Sequence, residues 1–136
     1  MKIALISYWT CPLAHPGVMS SGGMNVYITQ QAIALVKLGN SVDIYTRTHK
    51  EHFQKIVDLS KNIRVIHIGQ FKRDIYDDID NFSKRIIDFI RNELLTYDII
   101  HAHYYYSGLV GLQLKKKLKI PIILTFHTLG VLKKNF

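Results

Sequence analysis

Short apolar runs rich in β-branched residues alternate along the whole chain with stretches whose apolar residues recur at helical spacing, and this alternation leaves few folds open. Residues 2–7 (KIALIS), 41–46 (SVDIYT), 63–68 (IRVIHI), 98–102 (DIIHA) and 121–126 (PIILTF) are predicted as five strands. Between the first two, Met24, Ile28, Ala32 and Leu35 fall on one side of a helix, and Gly39 sits where a left-handed cap belongs. A second helix is marked by Phe82, Ile86, Phe89, Ile90 and Leu94, with Asp77, Asp78 and Asp80 near its positive end. A third is predicted over residues 108–118, with Leu112 turned to the core. The polar stretch over residues 47–62 stays open between loop and element. Strands apolar enough to be covered on both faces, separated by helices, imply an α/β fold: a doubly wound parallel sheet of order 3-2-1-4-5 with right-handed crossovers.

With 136 residues, 48% of them hydrophobic, the chain suits one core, read as a single Rossmann-like domain over 1–136. Cys11 is the only cysteine, which excludes a disulfide-stapled scaffold and suits a reducing cytoplasm. Apolar runs fall far short of the roughly 20 residues of a transmembrane segment, and Ile3 to Ile6 behind Lys2 are too few for a secretory signal. Eighteen Lys and Arg against ten Asp and Glu leave a formal charge of +8. No acidic residue follows Asp98, whereas Lys115, Lys116, Lys117, Lys119, Lys133 and Lys134 do. Such a field favours anionic partners, although a lysine run also serves as a solvated helix face. No nucleic-acid-binding motif accompanies it, so nucleic acid is not the expected partner.

An open parallel sheet binds ligands beyond the carboxyl ends of its strands where the strand order reverses, here between the first and fourth strands. The segments leaving strands one, four and five hold the unusual residues. Gly22 and Gly23 at a helix start can expose backbone N–H groups to a phosphate, while the dinucleotide fingerprint G-x-G-x-x-G is missing, which disfavours a nicotinamide or flavin dehydrogenase. A plain loop-to-helix turn would use the same glycines. His101 and His103 share a strand face, with His127 on the neighbouring strand's exit. Without a Cys, Asp or Glu beside them, hydrogen bonding to hydroxyls is the expected use rather than a metal site; His101 also fits as a core residue. Tyr104, Tyr105 and Tyr106 offer faces for sugar stacking or phenols for phosphate, at least one of them serving packing. No catalytic triad and no paired carboxylates fall in these segments, which gives hydrolytic glycosidase chemistry no support here.

At SGGMNVYI (residues 21–28), DIIHAHYYYSGLVG (98–111) and PIILTFHTLG (121–130) the chain resembles, over essentially its whole length, the amino-terminal half of the retaining glycosyltransferases of family 4, most closely the sucrose-phosphate synthase and mycothiol-pathway N-acetylglucosaminyltransferase subgroups. The resemblance implies the GT-B fold, whose two Rossmann-like halves bind acceptor and nucleotide sugar. It implies that Gly22 and Gly23 touch the donor diphosphate and that His127 bonds the donor sugar. It further implies that Asn25, Tyr104 and Thr128 hold a phosphorylated acceptor, with Lys72 as a phosphate-binding lysine; Lys72 read alone is equally a solvated loop residue. No cofactor or metal is implied beyond the nucleotide diphosphate sugar itself. Tyr105 and Tyr106 stand where relatives carry Trp and Leu. The family's carboxyl-terminal domain with its paired glutamates lies outside these residues, so the chain reads as a truncated, acceptor-side piece, inactive alone. A noncatalytic phosphate- or sugar-phosphate-binding module is the alternative.

Overall fold

The computed structural model describes residues 1–14, 22–48, 54–69 and 78–129. Six strands form one sheet: β1 (Lys2–Ser7), β2 (Ser41–Arg47), β3 (Ile56–Ser60), β4 (Ile63–Ile68), β5 (Ile99–His103) and β6 (Ile122–Thr125). Their spatial order is β3-β4-β2-β1-β5-β6. The five strands expected from the sequence lie in the expected order and are mutually parallel. The ambiguous stretch contributes β3, which turns back on β4 as an antiparallel edge strand with a register shift between Asp58 and Ser60. The sheet is therefore mostly, not wholly, parallel. Its edge is a short strand with an irregular register that carries Asp58 at its centre.

Strand alternation sorts the core into two layers. Ile3, Leu5, Val42, Ile44, Ile63 and Val65 pack with Ile28 and Ala32 of helix α1 (Gly23–Lys37). Ala4, Ile6, Tyr45, Ile66, Ile100 and Ala102 pack with α2 (Ile79–Asn92) and α3 (Tyr105–Leu118) on the other face. Each fully buried aliphatic side chain of this kind contributes about 2 kcal/mol. Gly39, at φ +88, ends α1 as its position suggested.

Four local expectations are corrected. β5 runs one residue later than predicted, because the Asp98 carboxylate accepts the Lys2 backbone N–H at 2.7 Å and His103 takes the last ladder position opposite Thr125. α2 stops at Asn92, and Leu94, at φ 51, is 89% exposed. α3 starts at Tyr105, so two of the three tyrosines are helical rather than in a strand-exit loop. Leu112 is exposed; the buried face of α3 is Ser107, Gly108, Val110, Gly111 and Leu114. The glycines set that face. A Cβ at Gly111 would run into Ile122 Cδ1, and one at Gly108 would meet Leu124 Cδ1 at 3.1 Å, so α3 lies close against β6 only along this stripe.

One buried polar network ties β2 to β4. Arg64 donates Nε and Nη2 to the two Asp43 carboxylate oxygens, each at 2.7 Å, and the Tyr97 hydroxyl donates to Oδ2. Tyr45 and Tyr97 hydroxyls meet at 2.6 Å. Burial pushes both phenols well above the usual tyrosine range, while the bond to Asp43 raises the Arg64 guanidinium.

Candidate functional site

Because β1 sits between β2 and β5, the strand order reverses at β1, and the exits of β1, β5 and β6 open on one mouth. Parity decides what lines it. On β5, Ile100 and Ala102 face α3, which leaves His101 and His103 on the α1 side. On β6, Thr125 shares that side, and His127 follows two residues later.

The imidazoles form a connected group. His101 Nε2 lies 2.8 Å from Thr125 Oγ1, and its Nδ1 lies 3.4 Å from Gln31 Nε2 of α1. His101 and His103 rings stack at 4.3 Å, and His103 Nδ1 lies 3.0 Å from His127 Nε2. Tyr27, one turn into α1, sets its ring edge-on to His127 at 5.1 Å and to His103 at 5.9 Å. The glycine-led start of α1 and the β6 exit therefore share one end of the sheet. Burial, and secondarily the neighbouring His101 and His127, push the His103 imidazole down to about 3. Burial also lowers His101, assisted by His127, and lowers His127. Near neutral pH the cluster is uncharged and acts through N–H donors and lone pairs. Its nitrogens engage one another and Thr125 rather than converging on a point, and among the described residues no trio of His, Cys, Asp or Glu is arranged to hold a metal ion.

Gly22 and Gly23 stand at the amino terminus of α1. Gly22 caps α1 at an extended φ of −159, and among the described residues its cap receives no side-chain hydrogen bond and a Cβ at either glycine meets nothing within 4 Å. Neither backbone strain nor a close neighbour among the described residues demands glycine here. What their missing side chains provide is open space in front of uncapped first-turn amides.

Asn25, in that first turn, is 3% exposed, and neither its carboxamide oxygen nor its nitrogen has a hydrogen-bond partner among the described residues. Tyr104 joins β5 to α3 at φ 76, ψ 165, a region nearly reserved for glycine, held by its N–H to Thr125 O at 2.8 Å and by Gly108 N–H to its own carbonyl at 3.0 Å. His127 is left-handed at φ 58, and exposed Thr128 follows it. Backbone strain of this kind gathers where side chains are aimed by their surroundings. Lys72 lies outside the described residues.

Several neighbours escaped the sequence reading. Trp9, leaving β1, stacks on Tyr106 at 5.4 Å and 9°, and Tyr8 N–H donates to Ser107 Oγ at 2.9 Å, so the β1 exit and the α3 start are locked together. Tyr27 carried a signal, one helical turn beyond the glycines. Gln31 and Thr125 carried none. Lys115, Lys116 and Lys119 line a shallow hollow with Leu112, Ile120 and Pro121, next to the amino-terminal end of β6 and away from the mouth. No helix among the described residues is long and apolar enough to cross a membrane.

The model of Glycosyltransferase Family 4 matches residues 21–135. The D-inositol 3-phosphate glycosyltransferase of Corynebacterium glutamicum (strain R) is 42% identical over 142 residues, covering 100% of this chain and 34% of that protein. Its namesake from Rhodococcus erythropolis is 36% identical, covering 97% of this chain and 31% of that protein. Among solved structures, sucrose-phosphate synthase from Thermosynechococcus elongatus superposes with a TM-score of 0.87 at 29% identity, covering 99% of this chain and 35% of that one. The catalytic domain of starch synthase IV from Arabidopsis thaliana, at 16% identity, a TM-score of 0.62 and coverage of 92% and 33%, shares the fold. The chain spans about a third of the length of the curated relatives it matches.

Proposed function

The chain belongs to glycosyltransferase family 4, and from that premise we propose that it forms the acceptor-side wall of an enzyme that moves a hexosyl unit from a nucleotide diphosphate sugar to a phosphorylated, polyhydroxylated acceptor with retention. The observation that carries this is Asn25: a carboxamide nearly sealed from solvent and, among the described residues, unpartnered at both atoms and set beside two open glycines on a helix amino terminus. Burying an unpaired amide costs about 1–3 kcal/mol, a cost that a ligand with donor and acceptor groups of its own removes. Inositol 3-phosphate, the acceptor in the relatives' name, has both.

Each residue then has a task set by its place. First-turn amides at Gly22 and Gly23 lie where a leaving diphosphate gathers charge, and the helix dipole favours that charge. His127, neutral near pH 7, orients the donor sugar by hydrogen bonding. Asn25, Tyr104 and Thr128 hold the acceptor, with Lys72 as a further phosphate ligand. Rate comes from positioning and electrostatic stabilisation, with no metal or cofactor. The proposed setting is a reducing cytoplasm, in keeping with a single buried thiol. One wall encloses no donor, so the isolated 136 residues are proposed to bind without turning over.

The test is titration of the ¹⁵N-labelled chain with inositol 3-phosphate. Amide shifts at Asn25, Tyr104 and Thr128 support the reading; shifts confined to the Lys115–Lys119 hollow, or none, refute it. In a two-domain enzyme carrying these residues, His127→Ala lowers turnover about 100-fold or more with the fold intact; near-wild-type turnover removes its assigned role. Turnover by the isolated chain would overturn the two-wall requirement.

A further inference from the structure

Resting on the reading of His127 as the donor-sugar ligand, we infer that His103 is a positioning residue that fixes the tautomer of His127, keeping its proton on Nδ1, the ring nitrogen left for a ligand oxygen. His103 is 0% exposed, pressed between the stacked ring of His101 and the edge of Tyr27, so its ring has little room to turn. Its Nδ1 faces His127 Nε2 at 3.0 Å. One proton occupies that contact, and it belongs to one ring or the other.

If His127 donates, its proton sits on Nε2, its Nδ1 is a bare lone pair, and His103 must carry its own proton on Nε2. That nitrogen is buried with no partner among the described residues. The arrangement strands an N–H donor in the interior, the rarer and more costly form of unsatisfied polar group. If His103 donates from Nδ1, only an acceptor lone pair is stranded at its Nε2. His127 then accepts at Nε2 and carries its proton on Nδ1. This nitrogen has no partner among the described residues and belongs to an exposed side chain. Burial holds the His103 imidazole far below the usual histidine range and lowers His127 as well, which keeps a second proton out of the pair near neutral pH.

The chemical consequence is directional. An Nδ1–H on His127 donates, so a sugar hydroxyl bound there accepts with its oxygen and keeps its own proton for another partner. The opposite tautomer would offer a lone pair and make the same hydroxyl the donor. An unconstrained neutral imidazole favours Nε2–H, so the inferred state is one that the fold must impose, and His103 is the group in contact to impose it.

Long-range ¹H–¹⁵N spectra of the labelled chain at pH 8 read the tautomer of each ring without any ligand. The expected result is His127 protonated at Nδ1 and His103 protonated at Nδ1. In His103→Phe, which keeps an aromatic ring and removes the donor, His127 reverts to Nε2–H. In His103→Asn, whose amide nitrogen stands near the former Nδ1, the Nδ1–H state of His127 returns. A wild-type His127 protonated at Nε2 overturns the inference, as does an Nδ1–H state that persists in His103→Phe. Should the Phe variant fail to fold, the wild-type spectrum and the Asn variant still decide. A chain with the inferred tautomer that binds no inositol 3-phosphate loses the glycosyl-transfer reading alone, and one that binds with the opposite tautomer loses only this inference.

Discussion

Replacing Asn25 by leucine should make the chain more stable while removing acceptor binding. Asn25 is buried in the first turn of α1, and its oxygen and nitrogen find no partner among the described residues. Each unpaired polar atom of a buried amide costs on the order of 1 kcal/mol, and burying leucine's methyl groups in their place contributes about another 1 kcal/mol. Imperfect fit of the branched side chain offsets part of this, leaving a gain of about 2 kcal/mol. For a chain of 136 residues that corresponds to a rise in Tm of about 7 °C. Urea titration and calorimetry of Asn25→Leu against wild type measure the gain, and the inositol 3-phosphate titration, repeated on the same samples, measures the loss. A variant destabilised by 1 kcal/mol or more would refute the reasoning, because it would mean that the carboxamide is satisfied in the folded chain and serves structure rather than a ligand.

Three further outcomes are expected. The unfolded chain protonates His103 below about pH 6.5 whereas the folded chain keeps it neutral down to about 3; the unfolded state thus holds more protons in that window, and stability falls as pH is lowered through it. The contribution is about 1.4 kcal/mol per pH unit, seen as a drop in urea midpoint that is shallower in His103→Phe; parallel wild-type and variant profiles would exclude it. At Tyr104, where φ is 76, Gly should be more stable than Ala by about 1 kcal/mol, the reverse of the usual order, because strain of about 2 kcal/mol outweighs the extra chain entropy of glycine; comparing the two variants by thermal melting cancels the shared loss of the ring, and Ala equal to Gly would disprove strain. Arg64→Leu should cost about 2–3 kcal/mol by leaving the Asp43 carboxylate buried beside Tyr97, and adding Asp43→Asn should recover much of it; a double mutant no better than the single would show that the pair acts through packing.

The sequence made the layer plan readable because its signal is periodic. β-branched alternation in IRVIHI placed β4 to the residue, and the spacing of Ile28 and Ala32 gave the buried side of α1. The same period of two put His101 and His103 on one face without any knowledge of their contacts. What was illegible follows from the absence of such a period. β3 is held by backbone pairing to β4 while nearly all its side chains are exposed, so IVDLS carries little pattern. The inner stripe of α3 is made by Gly108 and Gly111, whose role is to be small, which left Leu112 as the misleading apolar marker. The unusual backbone at Tyr104 is imposed by the ladder bond to Thr125 and by the first turn of α3, and a tyrosine in the sequence gives no hint of it. Of the candidate site, the glycines and histidines were singled out from residue type and position at strand exits, and Asn25 only through the family resemblance. Gln31 and Thr125 were not singled out, since they enter only through tertiary neighbours, and Tyr27 was passed over although it stands one helical turn beyond the glycines.

The histidines owe their location to counting. His101 and His103 alternate with Ile100 and Ala102 along β5, one set turned to α1 and the other to α3. Inserting or deleting one residue between Asp98 and His101 would exchange the sets, driving imidazoles into the hydrocarbon layer and emptying the mouth of its hydrogen-bonding groups. Substitution within this strand can thus be graded in effect, whereas a change in its length is all or nothing. Descendants of this chain are free to vary which polar groups stand at the two positions, but not how many steps separate them from the strand's beginning.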